Sequence, residues 1–191
     1  MPKLLGLPSA RSAASFATGA MLALVGSRLL PPLIAQARGA VRGSGGGDPL
    51  ASLLEDHVAI MSHLDALVDS ANAESFRRGQ RLLRLKRRLG AHAMAEENIL
   101  YPALRVDAGT SEDALQLFSE HAEMKTLLYQ LEQTPKSEEQ WHSYATDLRT
   151  LVAKHIRQEE DIDFPKLRQS MDNASLIELS AKIEREKALL L

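Results

Sequence analysis

Two stretches of this chain share one frame: His92-Ala93-Met94-Ala95-Glu96-Glu97-Asn98-Ile99-Leu100-Tyr101-Pro102 and His155-Ile156-Arg157-Gln158-Glu159-Glu160-Asp161-Ile162-Asp163-Phe164-Pro165. Each reads His-x-x-x-Glu-Glu, then four residues closing on an aromatic, then proline. Residues i and i+4 of a helix lie on one face, so His92 and Glu96 point the same way, as do His155 and Glu159. The next carboxylates, Glu97 and Glu160, are turned a further ~100° and would surround the site or face solvent in a regular helix. Upstream, Glu55-Asp56-His57 corresponds to Ser119-Glu120-His121, with His57 35 residues before His92 and His121 34 residues before His155. A helix hairpin is therefore used twice. In a bundle, such a repeat generates approximate two-fold symmetry about a shared centre.

Helix signals extend outward from this frame. Asp48-Pro49 offers an N-cap with proline at the first helical position. Leu50, Leu53, Leu54, His57, Ile60, Met61, Leu64 and Leu67 follow at helical spacing, predicting a first helix to about residue 71. A second is expected from about Glu74 to Tyr101, with Leu82, Leu85 and Leu89 inward and the arginines between Arg77 and Arg88 mainly outward; Pro102 marks its end. Thr110 to Asp113 offers a cap and an acidic first turn for a third helix, ending near Gln133. Ser137 with Gln140 has the capping-box spacing for a fourth, ending near Pro165. Asn173 can cap a short C-terminal helix. The expected fold is all-α, an up-down-up-down four-helix bundle with a short C-terminal helix and an N-terminal apolar segment.

Composition narrows the chemistry. Aromatic residues make up only 4% of the 191, which argues against a β-sandwich. The absence of cysteine excludes disulfides, thiolate ligands, iron–sulfur ligation and cysteine nucleophiles together. A formal net charge of -2 carries no overall basic bias towards nucleic acid. No nucleotide-binding glycine loop, Ser–His–Asp arrangement or zinc-finger spacing occurs. A metal here must take imidazole and carboxylate donors, which suit iron, manganese or zinc. His57, His92, Glu96, His121, His155 and Glu159 supply four imidazoles and two carboxylates, enough for two divalent ions with bridging carboxylates. Two glutamates buried in a bundle core without such a partner would cost several kcal/mol each.

On this motif the chain resembles the hemerythrin-like (HHE cation-binding) proteins, over roughly residues 50 to 170. The resemblance implies two non-haem iron ions held by those six residues, and chemistry with a small gaseous or peroxide ligand: dioxygen, nitric oxide or hydrogen peroxide. The oxygen-carrier members have a His-x-x-x-His pair on the third helix, whereas Lys125 stands four residues after His121. They also place the last acid five residues after its histidine, which would be Glu160. The present pattern is closer to bacterial hemerythrin-like and iron–sulfur-repair di-iron proteins, although the latter usually carry an N-terminal cysteine-containing domain. Reversible oxygen carriage is thereby disfavoured. Small-ligand binding, an oxidoreductase of catalase-like or iron–sulfur-repair type, and iron storage or delivery all need the same ligands, so enzymatic activity stays open.

Residues 1–47 read differently. They contain Lys3, Arg11, Arg28, Arg38 and Arg42 and no acid before Asp48. Ser12 to Ser27 is uncharged and apolar, Arg28 interrupts it, and the apolar character resumes to Ala37 around Pro31-Pro32. The run is short of the ~20 residues a clean span needs, but with Arg28 snorkelling it could span or lie on a bilayer. A cleaved signal ending at Ala35-Gln36-Ala37 and a packing tail are the alternatives. The glycine-rich stretch from Gly43 to Gly47 reads as a linker, dividing a basic N-terminal segment (1–47) from a bundle domain (48–191). The expected location is cytoplasmic, with membrane association through residues 12–37. His63 and His142 fall outside the repeated frame, Lys125 reads as solvated, and Tyr101, Phe164, Trp141 and Tyr144 read as core or helix-end packing.

Overall fold

In the computed structural model, which describes residues 31–41, 47–70, 74–109 and 111–190, the repeated heptad-like spacing of leucines yields helices throughout. They are α1 (Ala51–Val68), α2 (Ser75–Ala95), α3 (Tyr101–Asp107), α4 (Ser111–Gln133), α5 (Glu139–Gln158), α6 (Phe164–Ser170) and α7 (Asn173–Lys187). A π-helical turn, Glu96–Leu100, joins α2 to α3, and a second, Glu159–Asp163, joins α5 to α6. The helix α1 packs beside α2 and α5, and α4 beside α5 and α2, closing a four-membered ring; α7 lies against α2.

The core comes in two apolar clusters. One gathers Leu53, Leu100, Leu104, Leu117, Phe164, Leu167 and Leu179, among others. The second gathers Ile60, Leu64, Leu85, Leu89, Met124, Trp141, Leu148 and Val152. Along α1 and α4 the first cluster precedes the second, and along α2 and α5 it follows. The helices therefore alternate in direction, as expected of an up-down-up-down bundle. Burying each such leucine contributes about 1.5–3 kcal/mol, and these side chains drive the helices together. Between the clusters lies a layer of buried polar residues: Asp56, His57, His92, Glu96, Glu120, His121, His155 and Glu159.

Both long helices run past their expected ends. Pro102 and Pro165 stand near the start of α3 and α6 and terminate neither helix. Each proline follows a π turn, whose wider path gives the pyrrolidine ring room beside the preceding carbonyls that a tight α turn would press against it. Capping also differs in detail. Asp48 Oδ1 accepts from Leu50 N–H at 3.0 Å in the turn before the first helix, which opens at Ala51 and not at Pro49, and whose N-cap, Leu50, has no side-chain cap. The Ser137–Gln140 box does not form, because α5 opens only at Glu139 after an extended Glu138 without a side-chain cap. Asp172, not Asn173, caps α7, accepting from Ser175 N–H at 2.7 Å.

The expected linker falls largely on residues 42–46, outside the described residues. So does most of the apolar run, residues 12–30. Its continuation, 31–41, is helical, and Gly39 lies so close to α7 that a Cβ there would meet Ser180 O at 2.9 Å and Ala181 Cα at 3.0 Å. Among the described residues, no helix is long and apolar enough to cross a membrane.

Arg78 breaks the expected outward pattern of the arginines. It is buried at the end of the bundle distant from the π turns, where its Nε donates to Ser70 C=O at 2.8 Å and its Nη1 to Lys136 C=O. The guanidinium lies 5.4 Å from the ring centroid of Trp141, whose Nε1 donates to Leu131 C=O at 3.0 Å in the last turn of α4. One planar fork thus ties the α1–α2 turn to the α4–α5 turn. A lysine cannot reproduce that fork, so Arg78→Lys is expected to lower stability by about 1–3 kcal/mol through an unsatisfied turn carbonyl. An unchanged urea midpoint would contradict this role.

Candidate metal centre

All six residues singled out by the repeat meet in the polar layer, each 0–2% exposed. Their inward atoms fall into two overlapping groups, one of His57, His92, Glu96 and Glu159, the other of Glu96, His121 and His155. Both glutamates reach across. Glu96 Oε1 lies 2.9 Å from His92 Nε2 and 3.8 Å from His57 Nε2, while its Oε2 lies 3.5 Å from His121 Nε2. Glu159 Oε2 lies 3.2 Å from His57 Nε2, and its Oε1 lies 3.4 Å from His155 Nε2.

The outer edges of the imidazoles are held by a different set of acids. His57 Nδ1 faces Glu160 Oε1 at 2.7 Å, and His121 Nδ1 faces Glu97 Oε1 at 2.9 Å. His155 Nδ1 faces Glu120 Oε2 at 2.9 Å, and His92 Nδ1 stands 3.7 Å from Asp56 Oδ2. The repeat thus assigns two further duties. The acid following each inward glutamate orients the single histidine of the opposite half, and the acid preceding each single histidine serves the His-x-x-x-Glu helix of its own half. A carboxylate accepting from Nδ1–H fixes the tautomer with a lone pair on Nε2, which is the arrangement a ligating imidazole needs. Cations stand outside these acids: Lys125 on Glu97 at 2.6 Å, Lys154 on Glu120 at 2.8 Å, and Arg88 and Lys187 on Asp56 at 2.7 and 2.6 Å.

Lys125 therefore pairs with Glu97 at the surface and stays out of the centre. Glu159 faces inward, while Glu160 sits at the edge. His63 and His142 stay outside the site, each partly buried. Tyr101 packs in the core as expected, but its hydroxyl makes a contact with the site that sequence reasoning missed. Its hydroxyl donates to Glu159 Oε1 at 2.9 Å and stands 3.1 Å from His121 Nε2 and 3.3 Å from His155 Nε2. The π turn is the cause. Five residues of α-helix advance about 500°, leaving Tyr101 about 140° away from Glu96. Here Tyr101 N–H bonds Glu96 C=O, five residues back, which brings the ring onto the face of Glu96. The second π turn does the same for Phe164, whose N–H bonds Glu159 C=O and whose ring stacks on His57 with centroids 5.8 Å apart. The proline just inside an otherwise helical repeat was the available signal.

Buried charge decides the electrostatics. Burial pulls His57 down, but the carboxylates of Glu159 and Glu96 outweigh it and raise the imidazole to about 10. His155 is likewise lowered by burial and raised further by Glu159 and Glu120, to about 10. Burial pushes Glu96 up, and the imidazoles around it, His92 foremost, bring it well below its ordinary range. Outside, the hydrogen bond from His155 holds Glu120 at about 2. Despite these attractions, Glu96 Oε1 and Oε2, Glu159 Oε2 and His57 Nε2 are buried without a hydrogen bond; the 2.9 Å approach of His92 to Glu96 is off hydrogen-bonding geometry. Four inward atoms left in this state are what a metal ion, displacing the His57 proton, would satisfy.

Residues 41–167 match the Hemerythrin HHE cation binding domain. A DNA nickase of Nostoc sp. (strain PCC 7120 / SAG 25.82 / UTEX 2576) is 32% identical over 100 residues, covering 52% of this chain and 28% of the relative. The match thus spans little more than a quarter of that relative's length. No solved structure matches the chain.

The shifts of His57 and His155 set a pH limit on the protein stripped of metal. A base whose folded value is raised stabilises fully below its unfolded value and loses that contribution as pH climbs to the folded one. Stability of the stripped protein should therefore fall between pH 6.5 and about 10. Metal loading, which replaces the imidazole protons, should flatten that decline. Thermal melting that is level from pH 6.5 to 9 in the stripped protein would contradict the assignment.

Proposed function

This chain belongs to the hemerythrin HHE cation-binding family, and on that premise we propose that it holds two non-haem iron ions through His57, His92, Glu96, His121, His155 and Glu159 and takes up a small ligand of the dioxygen, nitric oxide or peroxide class. The observation carrying this reading is the pair of fully buried glutamates, each with one oxygen towards either group of histidines. Two carboxylates reaching across two imidazole pairs match the donor count and type of a two-metal site, and the all-nitrogen-and-oxygen set suits iron, with manganese or zinc as competitors.

Bound at these donors, iron supplies redox chemistry and open coordination positions for a small ligand. The protein's own residues do the rest. The Nδ1-facing acids hold each imidazole in one tautomer and one orientation. The two apolar clusters exclude water above and below the layer. A groove of about 430 Å³ lined by His57, Met61, Ile156 and Glu160 reaches the edge of the layer from solvent. Tyr101 places its hydroxyl oxygen 2.9 Å from Glu159 Oε1, at the inner face of the layer.

Metal analysis tests the reading. The intact chain should bind about two irons, and His92→Ala or His155→Ala should lose most of it. Metal content unchanged in both variants would overturn the site. Glu120→Gln should weaken metal affinity by roughly 10–100-fold while leaving the ligands in place.

We also propose the division near residue 47 and contact with a membrane through residues 12–37, supported by the uncharged Ser12–Ser27 run and the basic residues flanking it. In cell fractionation the full chain should partition with membranes, whereas a chain beginning at Asp48 should not. Identical partition of both into the soluble fraction would contradict the membrane role.

A further inference from the structure

The two halves of the centre are equivalent by sequence repeat, yet they differ in one atom that faces the donors. At the aromatic position before proline one half carries Tyr101 and the other Phe164. Both rings are fully buried, and both are swung towards the polar layer by a π turn. Phe164 meets its side as a hydrocarbon face stacked on His57. Tyr101 meets its side as an oxygen. That oxygen stands 3.1 and 3.3 Å from the Nε2 atoms of His121 and His155 and 2.9 Å from Glu159 Oε1.

The donor groups are unequal in a matching way. Around His57 and His92, four inward atoms including both glutamates gather closely together; around His121 and His155, Glu96 makes the third such atom, and Glu159 Oε1 approaches from one side, 3.4 Å from His155 Nε2. The poorer group is the one on which the tyrosine oxygen sits. Three inward atoms of other residues converge on this hydroxyl, more partners than a structural tyrosine needs to satisfy one donor.

We propose that Tyr101 is a seventh ligand, its phenolate oxygen binding the ion held by His121 and His155, so that the two metal positions are chemically unlike. This rests on the two-iron reading above. Ligation breaks the phenol O–H bond as the oxygen–metal bond forms, and the proton leaves to solvent; no oxidant or reductant is needed. The ion at His57 and His92 has Phe164 where its counterpart has Tyr101, and so keeps a position for an incoming small ligand. The inequality fixes a division of labour: one ion is capped by the protein, the other is the one that meets the ligand.

Iron(III) bound to a phenolate absorbs visible light by charge transfer, and excitation into that band enhances phenolate vibrations in the Raman spectrum. The chain has three tyrosines. Tyr129 is exposed, and Tyr144 packs against the apolar cluster around Trp141, away from the donors, so such a band can arise only at Tyr101. The iron(III)-loaded full chain should show it. Tyr101→Phe should keep its iron and lose the band, and Tyr101→Phe combined with Phe164→Tyr should restore one at the other ion. A full chain that binds about two irons but shows no phenolate signature would overturn the ligand assignment and leave the two-iron reading standing. A chain that binds no iron would overturn both. Should Tyr101→Phe fail to fold, the spectrum of the unaltered chain decides alone.

Discussion

Glu96 and Glu159 lie side by side at zero exposure in the middle of an apolar bundle, and the rest of the architecture answers that constraint. An ionised carboxylate taken out of water costs several kcal/mol unless opposite charge surrounds it closely. Here the compensation is arranged in shells. Four Nε2 atoms face the glutamates, four acids stand behind the Nδ1 edges, and Lys125, Lys154, Arg88 and Lys187 stand behind three of those acids. Charge alternates from the centre to the surface, so no group in the sequence of contacts is buried with only like charge beside it.

The same constraint shapes the fold around it. A polar layer across a bundle interrupts the apolar contact that holds the helices together, and the chain compensates with a closed cluster on each side. The π turns are placed where the inward glutamates begin them, one per half. Such turns recur at functional sites because they re-aim side chains that a regular helix would send elsewhere. In this chain they bring an aromatic ring onto the layer in each half, with a hydroxyl from Tyr101 in one and a bare ring from Phe164 in the other.

Most of the fold and the six-residue cluster were legible in the sequence, because both rest on period. The 3.6-residue spacing of leucines set the helices and their inward faces, and the duplicated His-x-x-x-Glu frame selected His57, His92, Glu96, His121, His155 and Glu159 from among six histidines and 25 acids. What period could not supply was any departure from regular helix. Pro102 and Pro165 therefore read as helix ends, whereas both helices continue, and Tyr101 read as packing alone, since a regular helix would turn its hydroxyl away from Glu96. Arg78 read as one of a row of solvated arginines; its burial depends on two turns far apart in sequence meeting at one end of the bundle. The roles of Asp56 and Glu120 were visible only as matching positions before the single histidines, and needed three-dimensional pairing to acquire a partner.

In the proposed centre, Glu96 and Glu159 hold two ions together in one layer. X-ray absorption at the iron edge on the loaded full chain tests this directly. A second iron is expected at about 3.5–4 Å or closer, as in carboxylate-bridged pairs, with nitrogen and oxygen alone as nearest neighbours. Iron with nitrogen and oxygen neighbours but no iron scatterer at that range would contradict it.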